Sequence, residues 1–202
     1  MILVPGLLIA AVAAAIGFFV LGFWIMRGRP VWFDGLAAGI FGRATGTAAL
    51  LTRTGYAPFL VLVTGLALVL ALLHRVPLAA VAAIAISQGA SQTAVTLAKR
   101  LFRRLRPDEW LVNQELGHSY PSGHATTAFA FYGGWLGLIV ASEWPVDAKL
   151  ASVVVLAAWI LGICWSRVAL GAHYPTDVTG GALIGFAFLC LSLAALRHYR
   201  LA

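Results

Sequence analysis

Six apolar segments divide this chain, and each is close to the length that a helix needs to cross a bilayer. They fall at about 3–26, 56–74, 77–98, 123–141, 149–165 and 177–196. A spanning helix takes roughly 20 apolar residues. The fourth and fifth segments are short and need their flanking residues to span. Pro58 and Pro77 stand near the starts of the second and third, where a missing N–H costs little. The first run, Leu3 to Met26, carries no charge and is too long for the apolar core of a secretion signal, so it reads as a retained membrane helix. The predicted fold is all-α: a polytopic membrane helix bundle of about six transmembrane helices.

Composition agrees. Of 202 residues, 61% are hydrophobic and only 10% are charged, with a mean hydropathy of +0.92, far from an ordinary soluble domain. With no long hydrophilic stretch, residues 1–202 read as one integral membrane domain. The stretch 27–55 differs. Arg27, Arg29, Asp34, Arg43 and Arg53 punctuate a Gly/Ala/Thr-rich run that is too polar to span, so an interfacial or re-entrant segment bordering the site is expected there. Gly35/Gly39, Gly42/Gly46, Gly133/Gly137 and Gly181/Gly185 have the small-xxx-small spacing that lets helices approach closely. Gln88 and Gln92 share a helix face, which points to hydrogen bonds between helices. Cys164 and Cys190 lie inside apolar runs and read as buried, inert thiols.

Fourteen Lys+Arg outnumber seven Asp+Glu. The basic residues sit at the ends of apolar segments, which argues against nucleic acid and for lipid headgroups or an anionic substrate. With six spans, the loops after the third and the fifth open on the same face. Three strings meet there: Lys99-x6-Arg106-Pro107, Pro121-Ser122-Gly123-His124, and Ser166-Arg167-x5-His173-x3-Asp177. Ionisable groups in so apolar a chain are expensive and default to function.

The chemistry of these strings suits a phosphate ester. Ser122 is a good N-cap and Gly123 allows close backbone approach, so a helix N-terminus there offers N–H groups to an anion. Lys99, Arg106 and Arg167 add cations, and guanidiniums grip phosphate oxygens in pairs. Asp177, four residues after His173, can reach back to one imidazole nitrogen if a helix starts at Pro175. That would fix the tautomer and free the other nitrogen to attack. His124, on another loop, can serve as general acid. No Cys/His or acidic cluster suggests a metal, and no cofactor is called for. Arg100, Arg103 and Arg104 read as headgroup contacts; Asp108, Glu109 and Glu115 as solvated loop charges; His74, His118 and His198 as loop or interface residues. A rival reading is an anion or lipid transporter using the same cationic cluster. It predicts charges spread through the spans, whereas these gather at one end.

The three strings, complete and in order, resemble the signature of the type 2 phosphatidic-acid phosphatase superfamily of membrane lipid phosphatases. The resemblance implies that Lys99, Arg106 and Arg167 bind the phosphate with Ser122 and Gly123. It implies that His124 is the general acid, that His173 is the nucleophile forming a phosphohistidine, and that Asp177 orients it. It also implies a lipid phosphate or diphosphate substrate, such as phosphatidic acid, phosphatidylglycerol phosphate or undecaprenyl diphosphate. Soluble haloperoxidases share the signature, but the hydropathy argues against them. The positive-inside rule points to a cytoplasmic site, since ten Lys/Arg (Arg27, Arg29, Arg43, Arg53, Lys99, Arg100, Arg103, Arg104, Arg106, Arg167) lie on the site face and four (Arg75, Lys149, Arg197, Arg200) on the other. The resemblance implies a multi-pass protein of the cell (inner) membrane with an extracytoplasmic site, and that is the expectation adopted.

Overall fold

The structure is a computed structural model that describes residues 3–28, 31–40, 45–107 and 115–199; among them every regular element is helical. Arg29, Gly42, Arg43, Asp108, Glu109 and Arg200 lie outside the described residues. Helix α1 runs Leu3–Met26. A 3-10 turn, Trp32–Leu36, leads into the short α2, Ala37–Ile40. Then come α3 (Thr45–Arg53), α4 (Ala57–Leu72) and α5 (Leu78–Phe102). After the loop, α6 (Gly123–Thr127) passes through a π-helical turn, Ala128–Tyr132, into α7 (Gly133–Ala141). Two long helices close the fold: α8 (Val146–Ala169) and α9 (Pro175–His198).

Local sequence explains the ends. Proline in the first turn starts α4 and α9, where its fixed φ suits a helix. Helix α5 stops at Arg103, a left-handed residue at φ 48°, so the chain turns before the first signature string ends. Four described helices (Val4–Met26, Leu78–Phe102, Val146–Ala169 and Pro175–His198) are long and apolar enough to cross a membrane. Helices α3 and α4, bent by 48°, make a fifth as a pair. The stretch 123–141, expected as one span, is divided by its π turn. The polar stretch 27–55 reaches the site end twice, through Asp34 in the 3-10 turn and through Thr52 and Arg53 at the end of α3, the first arm of the bent pair. Helix α3 packs on α8, with Ala48 against Ala169 and Leu170.

Helix α9 is the hub. Against α1 it closes on small side chains, with Ala11 and Ala14 meeting Ala187 and Cys190. Against α6 it approaches backbone to backbone. A Cβ on Gly181 would run into the Ser122 carbonyl, and one on Gly185 into the Thr126 carbonyl. The Gly181/Gly185 pair therefore does what its spacing suggested, and Gly133 and Gly137 likewise receive Leu189 and Leu193. Gln88 and Gln92 both donate to Thr127 Oγ1, at 2.8 and 3.0 Å, tying α5 to the end of α6. Outward faces stay apolar: Ile9, Val61, Ile86 and Val154 are all exposed. That pattern suits a hydrocarbon solvent and not water.

Candidate active site

Lys99 and Arg167 occupy the last turns of α5 and α8, and Tyr56, Ser122 and Tyr174 stand as N-caps of α4, α6 and α9. All three signature strings thus meet at one end of the bundle, as the order of apolar segments predicted. Ser166 and Arg167 belong to the helix itself and not to the following loop, because α8 runs beyond the apolar segment to Ala169.

The first string supplies two anchored cations. Lys99 Nζ donates to the His118 carbonyl at 2.8 Å. Arg106 donates from Nη1 to the Ala172 carbonyl (2.7 Å) and from Nε to the Gly117 carbonyl (3.1 Å). Arg167, 1% exposed, donates to Thr52 Oγ1 at 2.7 Å and to the Glu115 carboxylate. Its Nε has no partner. The second string forms a capped helix start. Ser122 Oγ accepts from the Ala125 N–H, and the Gly123 carbonyl accepts from Gln92 Nε2 at 3.1 Å. A Cβ on Gly123 would press on Gln92 Oε1, which is a local reason for glycine.

The two histidines are held differently. The His124 ring lies edge-on to Tyr56 with centroids 4.6 Å apart, hydrogen-bonds the Thr52 backbone, and leaves a buried Nε2 without a partner. His173 is 2% exposed. Its Nε2 lies 3.4 Å from Arg106 Nη1, and its Nδ1 lies 3.5 Å from Asp177 Oδ2. That second distance is ion-pair range, short of a formed hydrogen bond. A guanidinium only donates, so Nε2 is the accepting nitrogen and the ring proton belongs on Nδ1, aimed at Asp177. Burial holds the His173 pKa well below its ordinary value, and Arg167, Lys99 and Arg106 push the same way. The imidazole is therefore neutral near pH 7, as an attacking nitrogen must be.

Two residues read from sequence as a lipid contact and a loop charge, Arg104 and Glu115, prove to be part of the site, and Asp34 joins them from the stretch expected to border it. Arg104 is no headgroup contact. It donates to Asp177 Oδ1 at 2.7 Å and to Asp34 Oδ2 at 2.8 Å, and its guanidinium lies 4.1 Å over the Tyr174 ring. Burial works against its charge, but Asp177 and Asp34 outweigh it and raise the pKa. Glu115 is no solvated loop charge. One oxygen accepts from Arg167, and the other stands 3.7 Å from Arg106. Burial disfavours its charge, yet Arg167 and Arg106 hold its pKa below the carboxylate value. Asp34 reaches in from the 3-10 turn and accepts from the Thr176 N–H at 2.9 Å. Their cost as buried charges in an apolar chain was the available signal, and their partners were not readable from spacing.

A cavity of about 570 Å³ opens over this centre, lined by Thr52, Arg53, Tyr56, Glu115, Arg167 and Ala172 among others. Glu115 sits where an oxyanion would meet both guanidiniums. Among the described residues, no group of three or more His, Cys, Asp or Glu side chains is gathered to hold a metal.

Comparison with known proteins agrees with the geometry. The PAP2 superfamily model matches residues 76–200. A phosphatidylglycerophosphatase B from Escherichia coli (strain K12) is 35% identical over 79 residues, covering 39% of this chain and 29% of that protein. A lipid A 1-phosphatase from Rhizobium johnstonii is 32% identical over 106 residues, covering 48% of this chain and 39% of its own. Both relatives are thus matched over less than half their length. The crystal structure of a transmembrane PAP2 type phosphatidylglycerolphosphate phosphatase from Bacillus subtilis superposes with a TM-score of 0.62 at 20% identity, covering 100% of this chain and 98% of that one. The likeness is one of fold.

Proposed function

From membership of the PAP2 superfamily, to which this chain belongs, we propose that it is an integral membrane lipid phosphatase acting through a phosphohistidine. One observation carries the reading. His173 turns Nδ1 to a buried carboxylate and Nε2 to the cation cluster, the arrangement of a nucleophile aimed at an anion.

Burial and then Arg167 hold His124 neutral before substrate binds. The phosphate's negative charge offsets the nearby cations and lets His124 Nε2 take up a proton. His173 Nε2 attacks phosphorus, and the bond to the lipid oxygen breaks as His124 gives that oxygen the proton. The Nδ1 proton of the phosphorylated ring then faces Asp177, which stabilises the charge gained. Water, losing a proton to His124, attacks phosphorus and frees phosphate and the His173 ring. Lys99, Arg106, Arg167, the Ser122 hydroxyl and the Gly123 N–H hold the phosphoryl oxygens throughout. Displacement of Glu115 from the two arginines opens the oxyanion position.

The substrate is an amphiphile. A groove of about 530 Å³ runs between α4 and α5 from Ala57 past Leu60, Val61, Gly65 and Gly89. Its head adjoins Tyr56, which touches His124. An acyl or prenyl tail fits there while its phosphate enters the cluster. Phosphatidylglycerol phosphate, phosphatidic acid and undecaprenyl diphosphate all have this form. The names of the relatives support a lipid-borne phosphate. We place the protein in the inner membrane with the site on the extracytoplasmic face.

Phosphate release from a panel of lipid phosphates in detergent tests the reading. Turnover should persist in excess EDTA, and glycerol phosphate should be a poor substrate. No release from any lipid phosphate, or loss on chelation restored by Mg²⁺ or Zn²⁺, would contradict it.

A further inference from the structure

One guanidinium ties the catalytic pair to a part of the chain that holds none of the three strings. Asp34 lies in the 3-10 turn Trp32–Leu36, before the span 76–200 that the superfamily model matches. We propose that Arg104 and Asp34 are positioning residues for phosphoryl transfer, holding the Asp177 carboxylate in the one orientation that keeps the His173 proton on Nδ1. The proposal rests on the phosphatase reading.

Asp177 is fully buried. An unpaired carboxylate there would turn toward whatever donor it finds, or take up a proton. Its Oδ1 is engaged by Arg104 Nη1 at 2.7 Å. That leaves Oδ2 for the Tyr174 N–H at 2.9 Å and for His173 Nδ1 at 3.5 Å. Of these donors only Arg104 carries charge, so Arg104 decides which oxygen faces the imidazole.

Arg104 is itself fixed from three sides. Its Nη2 donates to Asp34 Oδ2 at 2.8 Å, its Nη1 also meets Thr176 Oγ1, and its plane covers the Tyr174 ring. Asp34 closes the ring of contacts. Its Oδ1 accepts from the Thr176 N–H and hydroxyl, each at 2.9 Å. It thereby caps the first turn of α9 from outside while holding the guanidinium that orients Asp177. A forked planar cation suits this bridge, and a lysine would not reach both carboxylates.

Asp34→Asn keeps the size and the acceptor for Thr176 but removes the charge that holds Arg104. We expect kcat on a lipid phosphate to fall about 10–100-fold, as is usual for the partner of a first-contact residue, with KM within about threefold. In an Asp177→Asn background the same substitution should change kcat by less than about threefold, because its route is through Asp177. An undiminished kcat in Asp34→Asn, or an equal loss in both backgrounds, overturns the proposal. A second readout needs no turnover. In ¹⁵N-histidine-labelled protein, with His173 assigned by its loss in His173→Gln, the ring should be a single Nδ1–H tautomer that becomes mixed in Asp34→Asn. An unchanged tautomer overturns the proposal. A shifted tautomer in a protein that hydrolyses no lipid phosphate would overturn the phosphatase reading and leave the positioning role standing. Where Asp34→Asn fails to accumulate, Arg104→Lys is read in the same two ways.

Discussion

Glu115 is the residue whose role changes most between sequence and structure. Its carboxylate spans Arg106 and Arg167, so an incoming phosphate must compete with it for the same guanidiniums. Glu115→Gln removes the competing charge and should tighten inhibition by inorganic phosphate and by vanadate roughly tenfold, about one charge-assisted contact of ~1.4 kcal/mol. Inhibition constants in detergent decide it. Weaker inhibition would mean that Glu115 organises the arginines and does not compete with the anion. The spacing of the strings made Lys99, Arg106, Arg167, His124, His173 and Asp177 legible, since each belongs to a fixed interval. Glu115, Arg104 and Asp34 were not, because an ion pair across 52, 73 or 70 residues leaves no interval to read.

Among the elements, the contact of α9 with α6 sets the site geometry. The Ser122 N–H donates to the Asp177 carbonyl at 2.9 Å, so the phosphate-binding turn and the helix carrying the orienting carboxylate share one backbone bond. Gly181 makes that approach possible. Gly181→Ala would put a methyl group into the Ser122 carbonyl and 2.9 Å from Ala125 Cβ. Overpacking of this kind costs about 1–3 kcal/mol. Thermal midpoints in detergent should fall for Gly181→Ala and hold for Gly6→Ala, where nothing lies within 4 Å of the added atom. An equal fall in both would remove the claim that this contact is special. Long apolar helices were legible from hydropathy alone, as α1, α5 and α9 illustrate. The π turn at Ala128–Tyr132 and the 48° bend between α3 and α4 were not. Neither leaves a periodic signal in hydropathy.

For the whole molecule, basic charge and kinship point to opposite faces for the site. The basic count on the site face included Lys99, Arg104, Arg106 and Arg167, and all four are now committed to the site and not to lipid. Six remain against four, a weak bias. Leu116 is 93% exposed beside the site. A cysteine there, with Cys164 and Cys190 replaced, should react with an impermeant maleimide added to intact cells. Labelling only after lysis would place the site in the cytoplasm.

Covalent phosphorylation of His173 is the step on which the proposed mechanism turns. Purified protein is mixed with ³²P-labelled lipid phosphate, quenched within the turnover time, and split into acid- and base-treated halves. The protein should carry a label that survives base, is lost in acid, and is absent from His173→Ala. A label of full yield in His173→Ala, or lipid phosphate turnover by that variant at the normal rate, would contradict it.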